Sequence, residues 1–294
     1  MDYKISPHTG AEREFPYKYI QQNVSEVEVA GYCSSIRKQF AIEQTSRWSS
    51  EKQTEWLTRH YLAIKMIMSA TLLITSRDFA ALKNLRIVEP YLLYYSCVCS
   101  CKSLIFTLPN LDWEQDRLAQ MSHAKVINVC TNALSRLSTR VGSAAYDLLQ
   151  KAKAYREMFS YRFPGLGLRA CAEYPLAPKD IVEFCSFTCE VAQVNSECLE
   201  SSIRKNVKGE YEPAGDVIEA SFAYPFLDDV LEDDDDYYRI AYYLRHGKKP
   251  GNLLDMATEG MIEDYFGAWV AKSAGRDLYN PDANIQIIFP FFEG

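Results

Sequence analysis

The chain is poor in the residues and patterns that announce most chemistries. Histidine occurs four times in 294 residues, at positions 8, 60, 123 and 246. No cysteines stand in a CxxC, and Cys97, Cys99 and Cys101 at spacing 2 point to different faces of a helix, which argues against zinc. GxxxxGK[ST], GxSxG, HExxH and EF-hand loops are all missing, which removes the corresponding nucleotide, hydrolase, metalloprotease and calcium chemistries. Glu259 and Glu263 share a helix face beside Asp264, but no ExxH or second His accompanies them, so we expect neither metal nor cofactor. No apolar run reaches the roughly 20 residues of a membrane span. The longest, Tyr91–Leu108, contains Lys102 and three serines and reads as a core helix. The opening MDYKISPHTGAEREFPYKY has charges and prolines where a signal peptide has its apolar region. Together with nine cysteines, an odd count, this predicts a cytoplasmic protein with reduced thiols and no membrane partner.

What is present is a full globular complement. Apolar residues make up 48% and charged residues 24% of the chain, enough for a real core, and 20 Tyr and 14 Phe predict aromatic packing where helices cross. The net charge of −7 is unevenly spread. Arg117 to Arg169 holds nine Lys or Arg against two acids, whereas Glu210 to Asp264 holds fifteen acids against four bases. Solvated helix faces of opposite sign account for this simply. The sharper reading is a phosphate or nucleic-acid surface in the middle of the chain, formed by Arg136, Arg140, Lys151, Lys153 and Arg162.

Periodicity predicts a mainly α protein. Ser49 or Ser50 caps a helix with apolar residues at 57, 61, 64, 68 and 72. Pro90 opens a second helix to about Leu108, Asn110 or Asp112 a third through SHAKVINVCTNALSRL, and a fourth runs from about Ser143 to Tyr161. These predict a bundle over 49–170, after an N-terminal extension at 1–48. An acidic region at 171–294 follows, mostly helical, with helices near Ala177–Asn206, Tyr237–His246 and Leu253–Ser273. The tail NIQIIFPFF reads as a short strand. IVEFCSFTCEV alternates enough to pass for a strand as well.

YLLYYSCVCSCKSLIF, SHAKVIN and KAYREMFSYRF together resemble successive helices of HEPN proteins, including their YaaC-like relatives, over roughly residues 50–165. That resemblance implies a helical bundle, a homodimer, and in many members a metal-independent ribonuclease of a toxin–antitoxin or antiviral system. In such sites a His moves protons and an Arg holds the scissile phosphate. The Arg of the family pattern falls on Arg156 and its polar neighbour on Glu157, but the His position is Tyr161. A phenol with an ordinary pKa near 10 is a poor base at neutral pH, though it donates a hydrogen bond to phosphate.

Two further pairs keep an allowed Arg-to-His spacing: Arg117 with His123, and Arg239 with His246. On a helix, Arg239 and His246 share one face, whereas Arg117 and His123 stand about 120° apart. Two functions follow. One is a HEPN-like protein of a stress or defence system that binds or cuts RNA. The other is a non-catalytic helical scaffold that binds a basic protein at Glu232–Asp236. Catalysis requires His123 or His246 beside Arg156, and a scaffold requires neither.

Overall fold

The computed structural model describes residues 3–113, 120–209, 211–246, 249–270 and 279–281. Among them the fold is mainly α, with twelve α-helices and one small hairpin. The helices are α1 (Ser6–Thr9), α2 (Lys18–Asn23), α3 (Glu26–Arg47), α4 (Ser50–Leu82), α5 (Glu89–Phe106), α6 (His123–Leu137), α7 (Thr139–Tyr161), α8 (Pro178–Asn206), α9 (Gly215–Phe222), α10 (Asp234–His246), α11 (Leu253–Met256) and α12 (Glu259–Gly267). Strands β1 (Ala223–Phe226) and β2 (Asp229–Glu232) pair antiparallel, with Ala223 opposite Glu232 and Phe226 opposite Asp229. The chain forms two compact units, each drawn from three separated stretches. Unit 1 comprises 1–64, 105–122 and 191–257; unit 2 comprises 65–104, 123–190 and 258–294.

Unit 1 is organised by polar groups as much as by apolar ones. Ser25 and Glu28 form a reciprocal capping box at the start of α3, and Ser49 Oγ accepts from Lys52 N at the start of α4. The Arg59 guanidinium is buried. It donates from Nε to Phe106 O at 2.9 Å, and its terminal nitrogens donate to Leu108 O, Leu111 O and Glu55, while the group lies 3.8 Å from the Trp56 ring centroid. Asp236 is buried too, accepting from Tyr61 Oη at 2.5 Å and Tyr224 Oη at 3.1 Å. It therefore does not belong to a solvated acidic run. Glu232, Asp234 and Asp235 stay exposed, and Asp234, Asp235 and Asp236 all sit in the first turn of α10, where the helix dipole favours acids.

Unit 2 packs the apolar α5 among helices. Ser96, Ser100 and Ser103 return their hydroxyls to α5's own carbonyls, so a helix buried along most of its length leaves these groups satisfied. The stretch that also reads as a strand is helical. Thr188 in α8 bonds back to Phe184 O in the same way, and the helix is buried all round, with Cys and Ser among its larger apolar residues. At the α6–α7 crossing, a Cβ on Gly142 would stand 2.7 Å from the backbone N and Cα of Ser135. Only glycine allows that approach.

Several predicted boundaries move. The third helix begins at His123 rather than at Asn110 or Asp112, because Trp113 and Met121 are buried as parts of non-helical backbone. The last helix is two: Thr258 breaks the run and N-caps α12 by accepting from Met261 N. The proposed terminal strand lies outside the described residues. Among the described residues no helix is long and apolar enough to cross a membrane.

Replacing Gly142 with alanine is expected to destabilise the protein by about 1–3 kcal/mol, from backbone overpacking, as read by denaturant unfolding. Unit 1 makes a pH prediction. Burial pushes the Glu197 carboxyl up to about 7 from 4.5, against hydrogen bonds from Thr9 (2.8 Å) and Gln193 (3.1 Å). The folded state thus keeps a proton that the unfolded state has lost, so this contribution is complete below pH 4.5 and disappears as pH rises through 7. His60 acts in the opposite sense: burial holds it at about 4 instead of 6.5, so its cost appears as pH falls from 6.5 towards 4. Between pH 6 and 8 the wild type should lose about 1–2 kcal/mol of unfolding free energy that Glu197→Gln does not lose.

Candidate functional site

Unit 2 brings three helices to one cluster of titratable groups. Tyr94 and Tyr95 come from the first half of α5, His123 is the first residue of α6, and Arg156 lies in the last third of α7. Tyr91 Oη donates to Phe159 O at 2.8 Å and fixes α5 against the end of α7. Tyr155 Oη donates to Tyr174 O at 2.5 Å and holds the turn that follows α7. The close approach at Gly142 sets α6 against α7.

Within this frame, Tyr94 is the hub. The Arg156 guanidinium lies 5.1 Å from the Tyr94 ring centroid, and the Tyr94 and Tyr161 hydroxyls favour its cation. Its Nε is buried with no hydrogen-bond partner. Tyr94 Oη lies 3.0 Å from His123 Nδ1, and the His123 ring packs 5.5 Å from Tyr94 and 5.6 Å from Tyr95. The phenol both donates and accepts, so it bonds to Nδ1 in either tautomer of the neutral imidazole.

The electrostatics favour that neutral ring. His123 is held below its ordinary 6.5 first by desolvation, then by the cations of Arg156, Lys102 and Lys153. Its place at the start of α6 acts in the same direction, since a helix N-terminus disfavours positive charge. Lys102 on α5 is half-buried, and desolvation lowers its own pKa. Desolvation works against the Arg156 cation, but the neighbouring Tyr94, Tyr161 and Tyr95 favour it by more and raise its pKa.

The other predicted site residues fall elsewhere. Tyr161, in the position of the family's His, is 75% exposed and touches Arg156. Arg136, Arg140 and Arg162 are exposed, and Lys151 and Lys153 are half-exposed. At about 100° per residue, Arg140 and Lys151 point within about 20° of each other, while Lys153 points to the other side of α7. The basic segment thus divides into two faces rather than one. Lys153 also pairs with Glu157 at 3.8 Å. Arg239 and His246 belong to unit 1, where His246 stacks 4.3 Å from Tyr242. Arg117 lies outside the described residues.

The sequence reading overlooked the roles of Tyr94 and Tyr95, because their run looked like apolar core. No group of three or more His, Cys, Asp or Glu among the described residues is arranged to hold a metal. Eight of the nine cysteines are buried thiols, and Cys99 is half-buried. A comparison with known protein families, curated proteins and solved structures finds nothing that matches this chain.

NMR titration should show His123 protonating below 6.5, and Arg156→Ala should move that midpoint upward by removing the nearest cation. An unchanged midpoint would show that burial alone sets it.

Proposed function

We propose that this chain is a HEPN-like, RNA-directed protein of a stress or defence system, cutting RNA without metal at the Arg156–Tyr94–His123 cluster. The observation that supports this reading is the meeting of a His and Arg156 through one phenol, in a site that needs both. Arg156 holds the non-bridging phosphate oxygens. The RNA 2′-oxygen bonds to phosphorus and the P–O5′ bond breaks. The charge of the bound phosphate favours the protonated form of His123, which is neutral in the free protein; the imidazolium gives its Nε2 proton to the departing 5′-oxygen, and the 2′-hydroxyl proton passes to water. The products are a 2′,3′-cyclic phosphate and a 5′-hydroxyl. Tyr95 and Tyr161, both partly or largely exposed, offer faces on which unpaired bases stack. Arg136, Arg140, Lys151, Lys153 and Arg162 supply further phosphate contacts on the two faces of the basic segment, in the cytoplasm and as a homodimer.

One observation favours the scaffold reading. Exposed Glu232 and Asp234 line a cavity of about 300 Å³ with Phe222 and Tyr237, a mixed acidic and aromatic surface suited to a basic protein segment.

Incubation with tRNA and a mixed RNA pool in EDTA, beside Arg156→Ala and His123→Ala, separates the two readings. The ribonuclease reading expects EDTA-resistant cleavage to fall by about 100-fold or more in each variant. Folded wild type that neither cuts nor binds RNA at low salt would overturn it in favour of the scaffold.

A further inference from the structure

Unit 1 holds a second cationic feature, unrelated to the RNA reading. A cavity of about 420 Å³ opens between α1, α3 and the end of α8. Its wall carries Arg37 and Lys38 from α3 and Lys205 from the last turn of α8. Ser34, Ser202 and Asn206 add two hydroxyls and an amide, and no carboxylate lines it. The rest of the wall is alanine and proline apart from His8, whose Nε2 is engaged by Glu26 at 3.3 Å.

Three like charges around one concavity repel each other, and folded proteins ordinarily intersperse carboxylates among them. Among the described residues, none of these three cations pairs with an acid; Arg37 donates to the His8 carbonyl at 3.3 Å. That bond ties α1 to α3. Gly10, at the end of α1, closes the turn with φ +78° and leaves no room for a Cβ beside Ser201. The wall formed by α1 is therefore held in place and is not a loose flap.

We propose that this cavity binds a small phosphorylated anion carrying two or more negative charges. The volume suits a small molecule. Arg37 supplies a planar fork for phosphate oxygens, Lys38 and Lys205 supply point charges, and the Ser34 hydroxyl adds a donor, while Ser202 and Asn206 are bonded to Gln44 and to each other and shape the wall. With no aromatic side chain in the wall except the His8 ring, the site has little on which to stack a base. Recognition rests on charge, and a compact polyphosphate or phosphorylated sugar fits it better than a nucleotide read through its base.

The test is calorimetric titration of the full chain with pyrophosphate at low salt, with sulfate as the singly tetrahedral comparison. Pyrophosphate should bind in the micromolar range and sulfate at least about tenfold more weakly. The double variant Lys38→Gln/Lys205→Gln, at exposed positions, should lose about tenfold or more, and Arg156→Ala should bind as wild type. No binding up to about 10 mM pyrophosphate, wild-type affinity in the double variant, or loss in Arg156→Ala would each overturn the assignment. Should the double variant not fold, acetylation of the wild type decides: pyrophosphate must protect Lys38 and Lys205, and equal labelling with and without it sinks the proposal.

Discussion

A buried positive charge must be answered on every side, and Arg59 shows how unit 1 meets that demand. The last carbonyls of a helix have no partner within it. Phe106 O at the end of α5, with Leu108 O and Leu111 O just beyond, is left in that condition, and one guanidinium takes all three while Glu55 balances its charge. The cation and the helix end solve each other's problem. Removing one member of such a group leaves the others buried and unsatisfied, a cost of about 3–5 kcal/mol. Lys52 extends the arrangement, reaching both Glu55 at 2.8 Å and Glu43 at 3.2 Å. Asp236 is the mirror case, a buried acid that accepts from two phenols.

The Tyr94 cluster uses the same economy for a different end. A phenol packs against a cation and hydrogen-bonds an imidazole, so a single side chain holds an Arg and a His in fixed relation. Desolvation raises the pKa of Tyr94, which keeps its hydrogen in place as the linking group. The Arg keeps its charge and the imidazole is kept neutral. Between them they offer an anion two donors of different kinds.

The fold class was legible because helical spacing is a local property. The apolar residues of α4 and the capping Ser49 predict their helix directly, and Lys102 with three serines marks α5 as a core helix rather than a span. The capping box at Ser25 and Glu28 was an equally readable signal for α3, passed over when 1–48 was treated as an extension. The β1–β2 hairpin was hidden because its turn, Leu227-Asp228, uses Leu at φ 57° where Gly or Asn is usual. At the site, Arg156 and His123 were both named, but not the residue that joins them. Tyr94 lies in an apolar run whose pattern announces only burial, and the contact depends on three helices meeting. Asp236 misled for the converse reason, since a run of acids gives no sign that one of them turns inward to Tyr61.

Each unit's assembly from distant stretches governs how the protein can be made. Residues 1–64 leave the ribosome early, but their unit also needs 191–257, which come 127 residues later. At roughly 5–20 residues per second that is a wait of about 6–25 s during which α1, α2, α3 and the start of α4 have no complete core. Ile5, Tyr17, Ile20 and Phe40, all buried at the end, are exposed throughout that interval. Vectorial synthesis therefore yields a nascent chain whose N-terminal apolar side chains stay open to misassociation until the later stretch arrives.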